Sequence, residues 1–185
     1  MQKLTGYSPM YNHPIMEAKH RIAFGGGCHW CTEAVYKSLK GIISVEQGFV
    51  ASEGEESSFS EAVIAHYDPK VISLEDLILV HLYTHKSTSD HGMRKKYRSA
   101  IYTFETVDVK RSTGALKEFQ KNFKDPLVTK VLPFRKFKIS DKAFQNYYFK
   151  NPYKPFCQTH IVPKLDLLML KFADKVDHNK VFLGQ

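Results

Sequence analysis

The chain has 185 residues, 43% apolar and 25% charged, enough for one domain with a core of its own. No stretch approaches the roughly 18 uninterrupted apolar residues that span a bilayer, and Met1 to Lys19 has neither the basic start nor the apolar centre of a secretory signal, so a cytoplasmic protein is expected. The net charge of +8 and pI near 9.3 invite a nucleic-acid reading, but the basic residues are scattered, densest at Arg94-Lys95-Lys96 and Arg135-Lys136, with no accompanying motif; the expectation is a solvated surface that attracts acidic protein partners, and no nucleic acid.

Residues 1–19, with Pro9, Asn12 and Pro14 and little periodicity, read as an arm laid over the domain. A buried strand follows at about Arg21 to Phe24, then three glycines, then a helix from about Cys28 to Leu39 whose Cys28, Cys31, Val35 and Leu39 form one stripe. Gly41 ends it. Ile42 to Ala51 is β-branched enough for a second strand, and the polar run Ser52 to Ser58 makes a turn. In the third strand, Phe59 to Tyr67, alternation places Phe59, Glu61, Val63, Ala65 and Tyr67 on one face. Asp68-Pro69 breaks the chain, and Ser73 caps a helix through Leu74, Leu77, Ile78 and Leu82. His85 to Lys96 has no periodicity and reads as a loop before a fourth strand, Tyr97 to Phe104.

Strand, helix, strand, strand, helix, strand is the split-βαβ order of an α+β, ferredoxin-like plait. A helix (about Val109 to Phe123), a strand (about Lys130 to Lys138) and a short helix (about Ser140 to Phe149) extend it. Pro152 and Pro155 keep the tail from Asn151 to Cys157 extended. After Pro163 a last helix offers Leu165, Leu168, Met169 and Phe172 to the body. Nothing marks a domain boundary, so residues 1–185 read as one catalytic domain with a tail at 151–185.

The chemistry centres on Cys28-His29-Trp30-Cys31. A thiol at a helix start meets unpaired amides and the positive dipole end, which stabilise the thiolate, and the glycines before it leave the sulfur uncovered. With three cysteines and no export signal, reactive or buried thiols are expected rather than a disulfide framework. Structural zinc would want a second pair of ligands at short spacing, which is missing, so no metal is expected. Glu61 points a carboxylate to the apolar side of its strand, where burial disfavours the ionised form, as a general acid requires. Tyr97, beside the polar loop, could donate a hydrogen bond to a bound oxygen. His29 could tune the thiolate or line the pocket, and Cys157 could fold back as a second thiol.

These residues resemble the A-type peptide methionine sulfoxide reductases. Gly26-Gly27-Cys28-His29-Trp30-Cys31-Thr32-Glu33-Ala34-Val35, with Leu39-Lys40-Gly41-Ile42 and Gly48-Phe49, is similar to the family's active-site opening. Glu61-Ala62-Val63 with Tyr67-Asp68-Pro69, Tyr97-Arg98-Ser99-Ala100-Ile101-Tyr102, Gln145-Asn146-Tyr147, and Cys157 with Ile161 to Leu165 match further segments over roughly residues 20–170. The resemblance implies a ferredoxin-like fold and no cofactor. It further implies that Cys28 attacks the sulfoxide sulfur of methionine-S-sulfoxide, free or in proteins, while Glu61 protonates the oxygen, Tyr97 binds it and Trp30 holds the methyl group. The resulting sulfenic acid on Cys28 condenses with a second thiol to a disulfide, which thioredoxin reduces. For that thiol the family pattern favours Cys157 in the tail, with Cys31 as the alternative. A monomer is expected.

The chain departs from the pattern at four places. His29 stands where phenylalanine forms half of the methyl pocket, which should weaken an apolar site by about 1 kcal/mol. Glu53 to Ser58 replaces a longer loop that carries another oxygen-binding tyrosine. His85 to Lys96 replaces a His-Asp-Pro-Thr and Gly-Thr-Gln pattern, leaving Asp90 as the candidate for its substrate-binding aspartate. Phe144 stands in place of a histidine. A thioredoxin-like thiol–disulfide oxidoreductase, or a degenerate relative that only binds, are the alternative readings.

Overall fold

The computed structural model describes residues 20–181, so the arm expected at 1–19 lies outside the described residues. The chain folds as mixed α/β around one six-stranded sheet in the order β5-β4-β1-β3-β2-β6. Its strands are β1 (Arg21–Gly25), β2 (Ile42–Ala51), β3 (Ser60–Tyr67), β4 (Ala100–Thr103), β5 (Lys130–Pro133) and β6 (Lys136–Ile139). All neighbours are antiparallel except β4 and β5. β1 and β3 are central and buried on both faces, with Phe24 opposite Val63 and Ile22 opposite Ala65.

On one face Ile22, Phe24, Val63, Ala65 and Ile101 pack beneath α1 (His29–Lys37), α2 (Leu74–Thr84) and α5 (Val162–Phe172). Tyr36 is fully buried there, its ring stacked on Phe24 at 4.7 Å and its hydroxyl donating to Leu77 O at 2.9 Å. α2 starts as expected at Ser73, whose hydroxyl accepts from Asp76 N at 3.0 Å while Asp76 accepts from Ser73 N, a reciprocal cap. α3 (Thr106–Phe119) packs outside α2 through Arg111 and Glu75, 2.7 Å apart, and α6 (His178–Val181) is the last described element.

The expected single strand from Lys130 to Lys138 is two strands on opposite edges of the sheet. Pro133 has no amide to continue a ladder. The chain hands over within two residues, Phe134 N donating to Thr103 O at the end of β4 and Arg135 N to Ala51 O at the end of β2. The sheet must therefore curl until its edges meet at that end. The concave face so made is lined by Ala23, Ile64 and Tyr102 and closed by Phe104, Leu132, Phe134 and Phe137.

Other expectations shift. Tyr97 precedes β4 instead of opening it. The short helix expected at Ser140 to Phe149 is only the single turn of α4 (Tyr147–Lys150). The tail is not extended: after turns at 152–154 it coils into a π-helical turn, Cys157–Ile161, that runs into α5, with Pro163 in the first turn, where its missing amide costs nothing. No helix among the described residues is long and apolar enough to cross a membrane.

Candidate active site

Cys28 is the N-cap of α1, its carbonyl accepting from Cys31 N at 3.1 Å and Thr32 N at 3.2 Å. The turn that delivers it, Gly25-Gly26-Gly27, has no positive φ. Glycine is needed for close approach instead: a Cβ on Gly25 would lie 2.8 Å from Arg98 O, and one on Gly26 2.4 Å from the His85 ring. Both carbonyls are held from behind. His81 Nε2–H donates to Gly25 O at 2.9 Å, and Arg94 Nη1 to Gly26 O at 3.2 Å. His85 stacks on His81 at 4.0 Å, donates from Nδ1 to His81 O at 2.6 Å and accepts at Nε2 from Ser99 Oγ at 2.7 Å. Burial lowers the pKa of His81 and takes that of His85 down to about 3, so both props are neutral.

The thiols are graded. A hydrogen bond from the Cys31 thiol lowers the pKa of Cys28, helped by the backbone amides of Trp30 and Cys31 and opposed by burial and by the charge of Glu61. Cys31, buried and holding its proton toward Cys28, is pushed far up. Of the two, Cys28 is the thiol that ionises more readily. Cys157 is fully buried in the π-helical turn, where desolvation raises its pKa, and its thiol donates to Asn151 O at 3.5 Å. It is not a thiol on a mobile tail. The thiol in contact with Cys28 is Cys31, and Cys157 lies close enough behind for its charge to bear on Cys31.

Glu61 sits on the helix side of β3, 7% exposed, as its alternation predicts. Its Oε2 accepts from His29 N at 3.0 Å and its Oε1 lies 3.6 Å from Lys96 Nζ. The amide that follows Cys28 thus binds the candidate acid. Tyr97 lines the same 520 Å³ cleft as Cys28, with Met93, Phe156 and Lys164.

His29 is buried; its Nδ1–H donates to Gly48 O at 2.9 Å, and its Nε2 lies 3.8 Å from Glu61 Oε2. Trp30 turns to a second hollow of 610 Å³ that includes His29, Phe49 and Phe144. Tyr147 stacks flat on its indole at 4.0 Å, and Phe156 meets it edge-on at 5.2 Å. The substitution Phe144 thus supplies a further ring, 5.6 Å from Trp30. Asp90 is the candidate not brought in: exposed, it lines a neighbouring cleft with Glu55, Glu56 and Arg98.

Sequence reasoning missed three contributors. Arg94 crosses the polar loop, donating to the carbonyls of Lys86, Ser89, Tyr97 and Gly26. Lys164, at the start of α5, donates to Thr84 O and reaches the Cys28 cleft, where burial lowers its pKa against the pull of Cys31 and Cys28. Glu33, buried on α1, accepts from Gln47 Nε2 and Asn146 N, and so fixes the segment carrying Phe144 and Tyr147. None has a periodic signal.

Comparison with known proteins matches residues 20–176 to the family described as peptide methionine sulfoxide reductase. The peptide methionine sulfoxide reductase MsrA of Polynucleobacter asymbioticus is 31% identical over 183 residues, covering 89% of this chain and 94% of that one. Among solved structures, Mxr1 from Saccharomyces cerevisiae in reduced form aligns with a TM-score of 0.67 at 26% identity, covering 76% of this chain and 90% of that one. The same yeast protein in complex with Trx2 aligns with a TM-score of 0.55 at 25% identity, covering 69% of this chain and 84% of that one.

Proposed function

The chain belongs to the peptide methionine sulfoxide reductase family, and from that premise we propose how its residues reduce methionine-S-sulfoxide, free or in proteins. Cys28 is the nucleophile. Its thiolate attacks the sulfoxide sulfur, the oxygen passes to the Cys28 sulfur with one proton from Glu61, and the products are methionine and a Cys28 sulfenic acid. The thiol is oxidised by two electrons and the sulfoxide sulfur reduced by two. Tyr97 binds the oxygen. His29 and Trp30 shape the side that takes the methyl group, with Phe49 and Phe144 completing an aromatic wall.

The observation that carries this reading is the placement of the candidate acid on the amide of the residue after the nucleophile, Glu61 Oε2 to His29 N at 3.0 Å. A nucleophile and an acid set side by side serve attack and protonation of one small group.

Cys31 then condenses with the sulfenic acid, releasing water and closing a Cys28–Cys31 disulfide, because it is the thiol one helical turn away, near enough for each to shift the other's pKa. A thioredoxin dithiol reduces that bond by exchange; the yeast relative's complex with Trx2 supports this partner. The free thiols suit a reducing cytoplasm. A monomer built as a single catalytic domain completes the proposal. The order β4-β1-β3-β2 with α1 and α2 on one face supports a ferredoxin-like plait, to which β5 and β6 each add an edge.

The test is NADPH oxidation coupled through thioredoxin reductase and thioredoxin, run on both sulfoxide epimers. Turnover on the S epimer alone, lost in Cys28→Ser, is expected. A folded wild type with no turnover on either epimer overturns the reading.

A further inference from the structure

We propose that Lys96, to which no role has been given so far, is a catalytic residue: its ammonium donates a hydrogen bond to the sulfoxide oxygen and stabilises the charge that gathers there during attack. The inference rests on the reaction proposed above. Three observations place it. First, its backbone is tied to the strand of the acid, Lys96 O accepting from Glu61 N at 3.0 Å and from Ser60 Oγ at 2.9 Å. Second, its Nζ lies 3.6 Å from Glu61 Oε1. Third, the same ammonium stands 4.9 Å from the centroid of the Tyr97 ring, and its surroundings at Tyr97 and Glu61 hold its pKa up.

An ammonium has three donors. The ammonium stands beside both the group that gives the oxygen its proton and the group that binds it, so it has donors to offer to an oxygen placed between them. As the Cys28 sulfur attacks, the electron pair of the breaking sulfur–oxygen bond collects on oxygen, and a cation held beforehand at that point lowers the barrier. Glu61 supplies the one proton the step consumes, and Lys96 keeps all of its own.

The test is single-turnover reduction of N-acetylmethionine-S-sulfoxide at saturating concentration by the full chain, with formation of the reduced product, N-acetylmethionine, followed by rapid quench. Because half of the Lys96 side chain is exposed, Lys96→Met should lower the rate constant on the order of tenfold to a hundredfold, short of a fully enclosed donor. Lys96→Arg, which keeps a cation, should keep more of the rate than Lys96→Met. Alkylation of Cys28 by iodoacetamide should keep its wild-type pH profile in both, since Lys96 is not among the groups that set the Cys28 thiolate. That readout separates a role at the oxygen from general damage to the site. A Lys96→Met rate within about threefold of wild type overturns the inference, and so does a parallel fall in alkylation. A folded wild type that forms no N-acetylmethionine overturns the parent reading and this inference with it.

Discussion

Gly26→Ala is the substitution whose cost the structure sets most directly. The new Cβ would stand 2.4, 2.7 and 2.8 Å from three atoms of the His85 imidazole, about 1 Å inside ordinary carbon contact. The ring cannot step back. Its Nδ1 is bonded to His81 O at 2.6 Å, its Nε2 to Ser99 Oγ at 2.7 Å, and one face stacks on His81 at 4.0 Å. Relief therefore means breaking a hydrogen bond in a packed site, about 1–3 kcal/mol, or shifting the turn, which overpacking data put at a similar cost. A loss of about 1–3 kcal/mol should lower the melting temperature by roughly 2–12 °C in a chain of this size, measured by calorimetry. Gly27→Ala is the control, because nothing lies within 4 Å of the Cβ it would add; its melting temperature should stay within about 2 °C of wild type. Equal losses in the two variants, or none in Gly26→Ala, would refute the view that the turn is glycine for close approach to His85.

Further outcomes are expected at the site and in the fold. Cys31→Ala should raise the pH midpoint of Cys28 alkylation, because it removes the hydrogen bond that does most to lower the Cys28 pKa. It should also release about one equivalent of methionine and then stall with thioredoxin, whereas Cys157→Ala should turn over within about twofold of wild type; a stalled Cys157→Ala would make the tail thiol the partner. Glu61→Gln should lower kcat/KM by about 10²–10⁴-fold, the range for a general acid, and a loss under about tenfold would remove it from that role. Urea unfolding against pH should show stability falling as pH drops below the ordinary histidine range, at about 1.4 kcal/mol per unit for each of His81 and His85. Both have folded pKa values below their unfolded ones, so the unfolded chain takes up the protons and the stability present at pH 7 is lost on acidification. A flat profile from pH 6.5 to 5 would refute neutral props behind the turn.

The alternation of Phe24, Val63 and Ala65 and the cap at Ser73 made the sheet centre and α2 readable, because each depends on neighbours a few residues away. Glu61 was readable for the same reason: its face follows from that of Val63. What hid was long-range. Nothing within Lys130 to Lys138 says that its halves join opposite edges of the sheet, since that depends on where β2 and β4 end. Cys157 was misread because Pro152 and Pro155 argue for an extended chain, yet proline fits the first turn of a helix as well as a coil, and packing decided for the turn. Asp90 was chosen for its residue type, and the loop's path carries it into the next cleft.

That path decides more than Asp90. From His85 to Tyr97 the chain has no periodicity and buries little, so its shape must come from polar contacts, and one guanidinium supplies most of them. Arg94 collects carbonyls from Lys86, Ser89, Tyr97 and Gly26, drawing both ends of the loop onto the turn before the nucleophile. Five donors in a rigid fork can do this, and a lysine's point charge cannot. The carbonyl of Lys96 is pinned to β3 next to this fork, so the separation of Lys96 and Tyr97 from Cys28 is set from both sides. A loop that reads as unstructured is in this way the part of the chain that fixes Lys96 and Tyr97 on the turn before Cys28.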